Sequence, residues 1–161
     1  MNIRLTVLVV SILLGMVAHA DGTEANAIVG QWFTSEKDAR IEIFKVNGKY
    51  NGKIVWTKEP TYPEDDPESG KPTHDRENPD VTKRGQPLLG LTLLANFEYA
   101  GGNSWTHGTL YNPEDGNTYK TRLSLTPEGT LKVRGYLGIS LLGRTVVWTR
   151  YEEPVKAQKD K

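Results

Sequence analysis

Few side chains in this sequence are suited to bond-making chemistry, and their spacing limits what they can do. The chain has no cysteine, and its three histidines are His19, His74 and His107. No G-x-S-x-G turn exposes a nucleophilic serine. A serine or cysteine triad therefore finds no support, and no catalytic residue is assigned. A hydrolase would have to work through Asp75, Asp80 or His107. His107 lies in SWTHGTLY, where an unbroken period of two puts Trp105, His107, Thr109 and Tyr111 on one face. A histidine among aromatic rings is either a ligand contact or a hydrogen-bonded, partly buried residue.

Metal chemistry is weaker. Glu64, Asp65, Asp66, Glu68, His74, Asp75 and Asp80 crowd one segment, and oxygen donors of this kind suit calcium. Their spacing matches no EF-hand. His74 and His107 without any cysteine make a thin set for zinc. No metal or cofactor is assigned. In the same segment Asn78-Pro79-Asp80 builds a turn, and Arg84 can reach a carboxylate or a carbonyl. Asp75, Asn78 and Arg84 thus form either a ligand clamp or a self-satisfied loop in which Asp75 or Asp80 pairs with Arg84. The aromatic residues offer the other binding chemistry. Trp56 falls on one strand face with Tyr50 and Ile54, while Trp105, Tyr111 and Tyr119 belong to neighbouring strands. Facing inward, these side chains line an apolar pocket or fill a core.

The elements that must position these groups are strands. Period-two alternation recurs in ARIEIFKV, TYKTRLSLT and TLKVRGYLG, separated by the turn formers Asn47-Gly48, Asp115-Gly116-Asn117 and Pro127-Glu128-Gly129. The pattern predicts about eight strands, near residues 29–35, 39–46, 49–57, 91–99, 104–111, 117–126, 130–138 and 143–151. Hairpin-short connections between antiparallel strands predict an all-β fold, an eight-stranded up-and-down barrel spanning 21–151. The exception is 58–87, rich in proline and acid, a long loop at one rim. Residues 152–161 form a polar C-terminal tail. Many predicted strands are shorter than the ~9–11 residues of a membrane-spanning barrel strand, which disfavours an outer-membrane barrel.

The first 20 residues carry one cation, Arg4, an apolar run from Leu5 to Val17, and small residues at Ala18 and Ala20. This is the pattern of a cleavable signal peptide, and the run is shorter than the ~20 apolar residues that span a bilayer. Loss of Arg4 from a balanced chain would leave a formal charge of −1. A near-neutral domain without a basic block offers nucleic acid no electrostatic footprint. Export places the protein in the periplasm or outside the cell, with no transmembrane span after cleavage. The absence of cysteine leaves no site for lipid attachment at the cleavage point and no disulfides, so packing alone must hold the fold.

Taken in order, GQW, NGKIVW, DRENPD, RGQPLLGL, NPEDGNTY, RGYLG and GRTVVWTR resemble a family of small exported bacterial proteins, domain-of-unknown-function family 2147. The resemblance runs from about Val29 to Arg150. It implies a signal peptide and a lipocalin-like barrel, and no activity. Lipocalin-like barrels place a Gly-x-Trp in the first strand and stack an arginine of the last strand on that tryptophan. Here these are Gly30 and Trp32, with Arg144 and Arg150 flanking Trp148 as alternative partners. In RGYLGISLLGRTVVWTRY, strand seven would turn through Ile139 to Leu142 into strand eight and close the barrel.

These readings converge on an exported protein that binds a small amphipathic or hydrophobic molecule in or at the mouth of a barrel. The candidate contacts are Trp56, Trp105, His107, Tyr119, Asp75, Asn78 and Arg84. An envelope protein as partner, without a small ligand, is the alternative, and a hydrolase at the rim is the third.

Overall fold

The computed structural model describes residues 24–136 and 143–154. Eight strands follow one another: β1 Gly30–Phe33, β2 Ala39–Val46, β3 Lys49–Thr57, β4 Thr92–Gly101, β5 Ser104–Asn112, β6 Asn117–Leu125, β7 Leu131–Tyr136 and β8 Arg144–Arg150. Each pairs antiparallel with its neighbours in chain order, and β8 returns to β1 through Trp32↔Arg150 and Phe33↔Thr149. The eight-stranded up-and-down barrel expected from the alternation is therefore the fold observed. The first 20 residues, the turn through Ile139 to Leu142, and the tail after Pro154 lie outside the described residues. Among the described residues no helix is long and apolar enough to cross a membrane.

Alternation dictates which side chains meet inside. Trp32, Ile41, Ile43, Tyr50, Ile54, Leu94, Phe97, Trp105, Leu123, Leu131 and Val133 form one buried cluster, and Trp148 joins it from β8. Full burial of Trp32 and Trp105 makes their loss costly, on the order of 3–5 kcal/mol for truncation to alanine.

Three irregularities break the alternation and correct the expected faces. The register of β2 and β3 slips between Arg40 and Ile41, so that Arg40 pairs with Trp56 while Ile41 pairs with Ile54. Trp56 therefore leaves the inward face of Tyr50 and Ile54 and meets the outward Phe33 ring, edge to face at 5.9 Å. On β5 and β4, His107 and Asn96 adopt positive φ angles of 61° and 64°, and the β5–β6 pairing shifts around the first and the β3–β4 pairing around the second. His107 is accordingly separated from the face of Trp105 and points to solvent, 3.5 Å from Glu98 with its side chain 77% exposed. One inserted residue is enough to exchange in for out.

An up-and-down barrel carries alternate connections at opposite ends. One end holds the tight turns β2–β3, β4–β5 and β6–β7 and is sealed by residues 24–29, where Ile28 is fully buried and Ala25 nearly so. Three buried rings tie this plug down. The Trp32 indole donates to the Ile28 carbonyl (2.8 Å), the Trp105 indole to the Ala25 carbonyl (3.0 Å), and the Tyr50 hydroxyl to Asn26 (2.8 Å). Arg150 completes the seal. Its guanidinium lies 4.2 Å from the centre of the Trp32 ring and donates to the carbonyls of Val29 and Ala27. Gly30 is required beneath it: φ is +125°, and a Cβ there would stand 3.0 Å from the Arg150 Nη1.

Candidate functional site

The opposite end carries the β1–β2, β3–β4 and β5–β6 connections together with the end of β7 and the start of β8, and here the described residues leave the interior unfilled. A cavity of about 620 Å³ opens among β5–β8 and the β1–β2 loop. Buried Trp148 and Val133 form its floor, and half-buried Leu110 and Val146 its walls. Tyr119 and Tyr136 add aromatic surface higher up. At the rim stand Glu36 and Asp38 from the β1–β2 loop, Glu114 and Asp115 from the β5–β6 turn, and Arg144 at the start of β8. Apolar below and polar above, the volume falls within the ~300–1,000 Å³ of small-molecule pockets.

Strand geometry explains the lining. Leu110 and Asn112 face the cavity on β5, which leaves the intervening Tyr111 on the outer side. On β7 the inward residues are Val133 and Gly135, and on β8 they are Arg144, Val146 and Trp148. Arg144 thus belongs to the mouth, whereas Arg150 alone stacks on Trp32. The two arginines of the closing strand, alike in sequence, work at opposite ends of the barrel.

Tyr119 and Asp115 form the polar pair of the rim, joined by a hydrogen bond from the phenol to the carboxylate. That bond, with partial burial, raises the Tyr119 pKa above its ordinary value. For Asp115, burial opposes ionisation, yet donation from Tyr119 and from the Asn117 backbone N–H outweighs it and holds the carboxyl below the usual range. Asp115 is therefore a firmly ionised acceptor.

The long loop lies beside this mouth rather than in it. None of residues 58–91 lines the cavity among the described residues. The loop folds on itself through the bridges Thr61↔Pro72 and His74↔Pro87, and Leu88 and Leu91 pack against the core. Asp75, fully buried, accepts from the Tyr111 hydroxyl and the Asn78 amide, each at 2.7 Å. Burial foremost, then the bond to Asp75, pushes the Tyr111 phenol up to about 12. Arg84 donates to the Asn78 carbonyl at 2.8 Å. The expected pairing of Asp75 or Asp80 with Arg84 is not made, because Asp75 is occupied by Tyr111 and Asp80 caps the 3-10 turn Val81–Lys83 through Thr82. The loop is docked tightly on the β5–β6 turn: a Cβ on Gly116, whose φ is +67°, would fall 2.0 Å from the Glu77 carbonyl oxygen.

The acidic half of the loop is satisfied internally. Arg76 forks onto Asp66 (2.7 Å to each oxygen) and onto Glu68, with its guanidinium 3.5 Å from the centre of the Tyr62 ring. These bonds hold Asp66 down to about 2 and Glu68 below its ordinary range. His74 adds its ring nitrogens to Glu68 (2.9 Å) and the Arg84 carbonyl (2.6 Å). Of the carboxylates that composition offered to a cation, Asp66 and Glu68 are thus ordered around a guanidinium.

The sequence-derived candidates consequently separate. Tyr119 lines the cavity. Trp105 packs near the sealed end, among Tyr50 and Tyr99. Trp56 joins an outer cluster in which Arg40 lies 5.4 Å from the Trp56 ring centre and 4.1 Å from that of Tyr151. Asp75, Asn78 and Arg84 hold the rim loop, and His107 stands at a surface bulge. Asp75, Asp80 and His107 do not converge. Missed by sequence reasoning were Leu110, Val133 and Val146 and the rim acids Glu36, Asp38, Glu114 and Asp115. Chain topology was the available signal, since four odd-numbered connections must share one end.

Protein HP1028 from Helicobacter pylori, described as belonging to the lipocalin family, has a similar structure, with a TM-score of 0.66 and 25% sequence identity over 78% of this chain and 83% of that one. No curated protein matches the sequence. Residues 30–150 match the family described as uncharacterized proteins conserved in bacteria, DUF2147. With eight strands closed as in its lipocalin neighbour and a match running from β1 to β8, the chain belongs to this bacterial family.

Proposed function

We propose that this is an exported protein, periplasmic or secreted, that holds a small amphipathic molecule in the mouth of its barrel. The observation that carries the reading is the cavity of about 620 Å³, apolar at Trp148, Val133, Leu110 and Val146 and polar at its rim. Burying an alkyl or ring system there would contribute about 25 cal/mol per Å² of apolar surface removed from water, and rim groups would orient a polar head. The opposite end, sealed by Trp32, Ile28 and Arg150, limits entry to one side. Export rests on residues 1–20 of the sequence, with their single cation, apolar run and small residues before position 21.

Titration with the uncharged dye Nile red tests the binding reading. Saturable fluorescence enhancement is expected for the wild type and its loss for Val133→Trp, which fills the floor. Equal enhancement in both would place the dye elsewhere and remove the reading. Export is tested separately, by fractionating cells that express the full chain. Recovery in the periplasm or medium, cut after Ala20, supports it, and retention of the uncut chain in the cytoplasm opposes it.

A further inference from the structure

The cavity selects by charge as well as by polarity. Four carboxylates line it (Glu36, Asp38, Glu114 and Asp115) against one guanidinium, Arg144, a formal excess of three negative charges. The excess is local, because the whole chain balances 20 acidic against 20 basic residues. Among the described residues no lysine or arginine forms a salt bridge with any of the four carboxylates, although six such contacts occur elsewhere, including Lys49 with Glu98 and Lys53 with Glu42.

The arrangement also points away from a bare metal ion. Among the described residues no three carboxylate or imidazole groups come together in a way that could hold one. The carboxylates instead surround a volume with an indole floor at Trp148 and phenol rings at Tyr119 and Tyr136. Dispersed negative charge above apolar and aromatic surface is the environment that an organic ammonium group on an alkyl or aryl body satisfies, through long-range attraction and cation–π contact. An anionic head would meet repulsion from the rim and find only Arg144.

Resting on the binding reading above, we infer that the ligand class of this cavity is a cationic amphiphile, an amine or quaternary ammonium carried on an apolar body, with Glu36, Asp38, Glu114 and Asp115 setting the preference.

Three ten-carbon probes separate this inference from the reading beneath it: decylamine, decanol and decanoate, titrated calorimetrically below their aggregation limits at low salt. Decylamine is expected to bind about tenfold or more tightly than decanoate, the sum of a few exposed charge interactions, with decanol between them. The preference should shrink as salt is raised, and the double variant Glu36→Gln/Glu114→Gln should remove most of it. Glu98→Gln, on the outer surface, should leave it intact, and Arg144→Gln should enlarge it. Equal binding of all three probes, or a preference that survives the double variant, overturns the charge inference and leaves the cavity reading standing. Tighter binding of decanoate overturns it outright. Binding of none of the three removes both.

Discussion

The guanidinium of Arg150 covers the Trp32 ring at 4.2 Å and donates to the Val29 and Ala27 carbonyls. One side chain thereby fastens the last strand to the first and to the plug that seals the barrel. Arg144, six positions earlier on the same strand, makes none of these contacts and lines the mouth. The pair gives an internal control. Arg150→Lys is expected to lower stability by about 1–3 kcal/mol, because an ammonium cannot stack and donate to two carbonyls at once. Arg144→Lys should change it by less than about 0.5 kcal/mol. Urea unfolding followed by tryptophan fluorescence measures both; equal losses would show that closure does not depend on Arg150.

The Tyr111 hydroxyl is one of two donors to the buried Asp75 carboxylate. Tyr111→Phe strands one carboxylate oxygen and is expected to cost about 1–3 kcal/mol, with faster amide exchange over residues 73–91 in hydrogen–deuterium measurements. In the wild type the phenol stays protonated beyond the ordinary tyrosine range. Because its folded pKa is raised to about 12, its contribution is complete below the unfolded value of 10.0 and is lost as the pH rises toward 12. Phenolate absorbance in an alkaline titration reads this directly. A full tyrosine titration near 10 in the folded protein would contradict the buried pairing.

Acid should act on the other half of the loop. Asp66 is held at about 2 by Arg76, well below the ordinary carboxylate range, and Glu68 is lowered by the same guanidinium and by His74. Depressed folded pKa values contribute stability that is present above the ordinary carboxylate range and lost as the pH falls toward about 2. The side-chain carboxyl chemical shifts of Asp66 and Glu68 are therefore expected to hold steady through the ordinary carboxylate range and to change below it. In Arg76→Gln the change should begin at higher pH. Identical acid profiles for the two proteins would deny Arg76 its ordering role.

The strand pattern was legible because one face of each strand packs inward, as in buried Ile41 and Ile43 on β2 and, on β6, buried Leu123 with half-buried Leu125. The closing arginine was narrowed to Arg144 and Arg150 but not decided, since both share the parity of Trp148 and only the β1–β8 register distinguishes them. The positions of Trp56 and His107 were not legible. Trp56 follows a bulge and His107 sits within one; the extra residue is accommodated by three-dimensional pairing and leaves no mark in the alternation, and His107 itself takes the positive φ that sequence would assign to glycine or asparagine. The cavity escaped for a related reason. Leu110, Val133 and Val146 look like any inward strand residues, and whether inward residues touch one another depends on the distance across the barrel.

The most direct test of the account is chemical-shift mapping of the isotopically labelled protein titrated with decanol. The predicted result is a saturable set of shifts at Leu110, Val133, Val146 and the Trp148 indole, with the plug at Ala25 to Ile28 unmoved. Shifts centred instead on the outer cluster of Arg40, Trp56 and Tyr151, or none up to the solubility of the probe, would contradict a binding site in the mouth of the barrel.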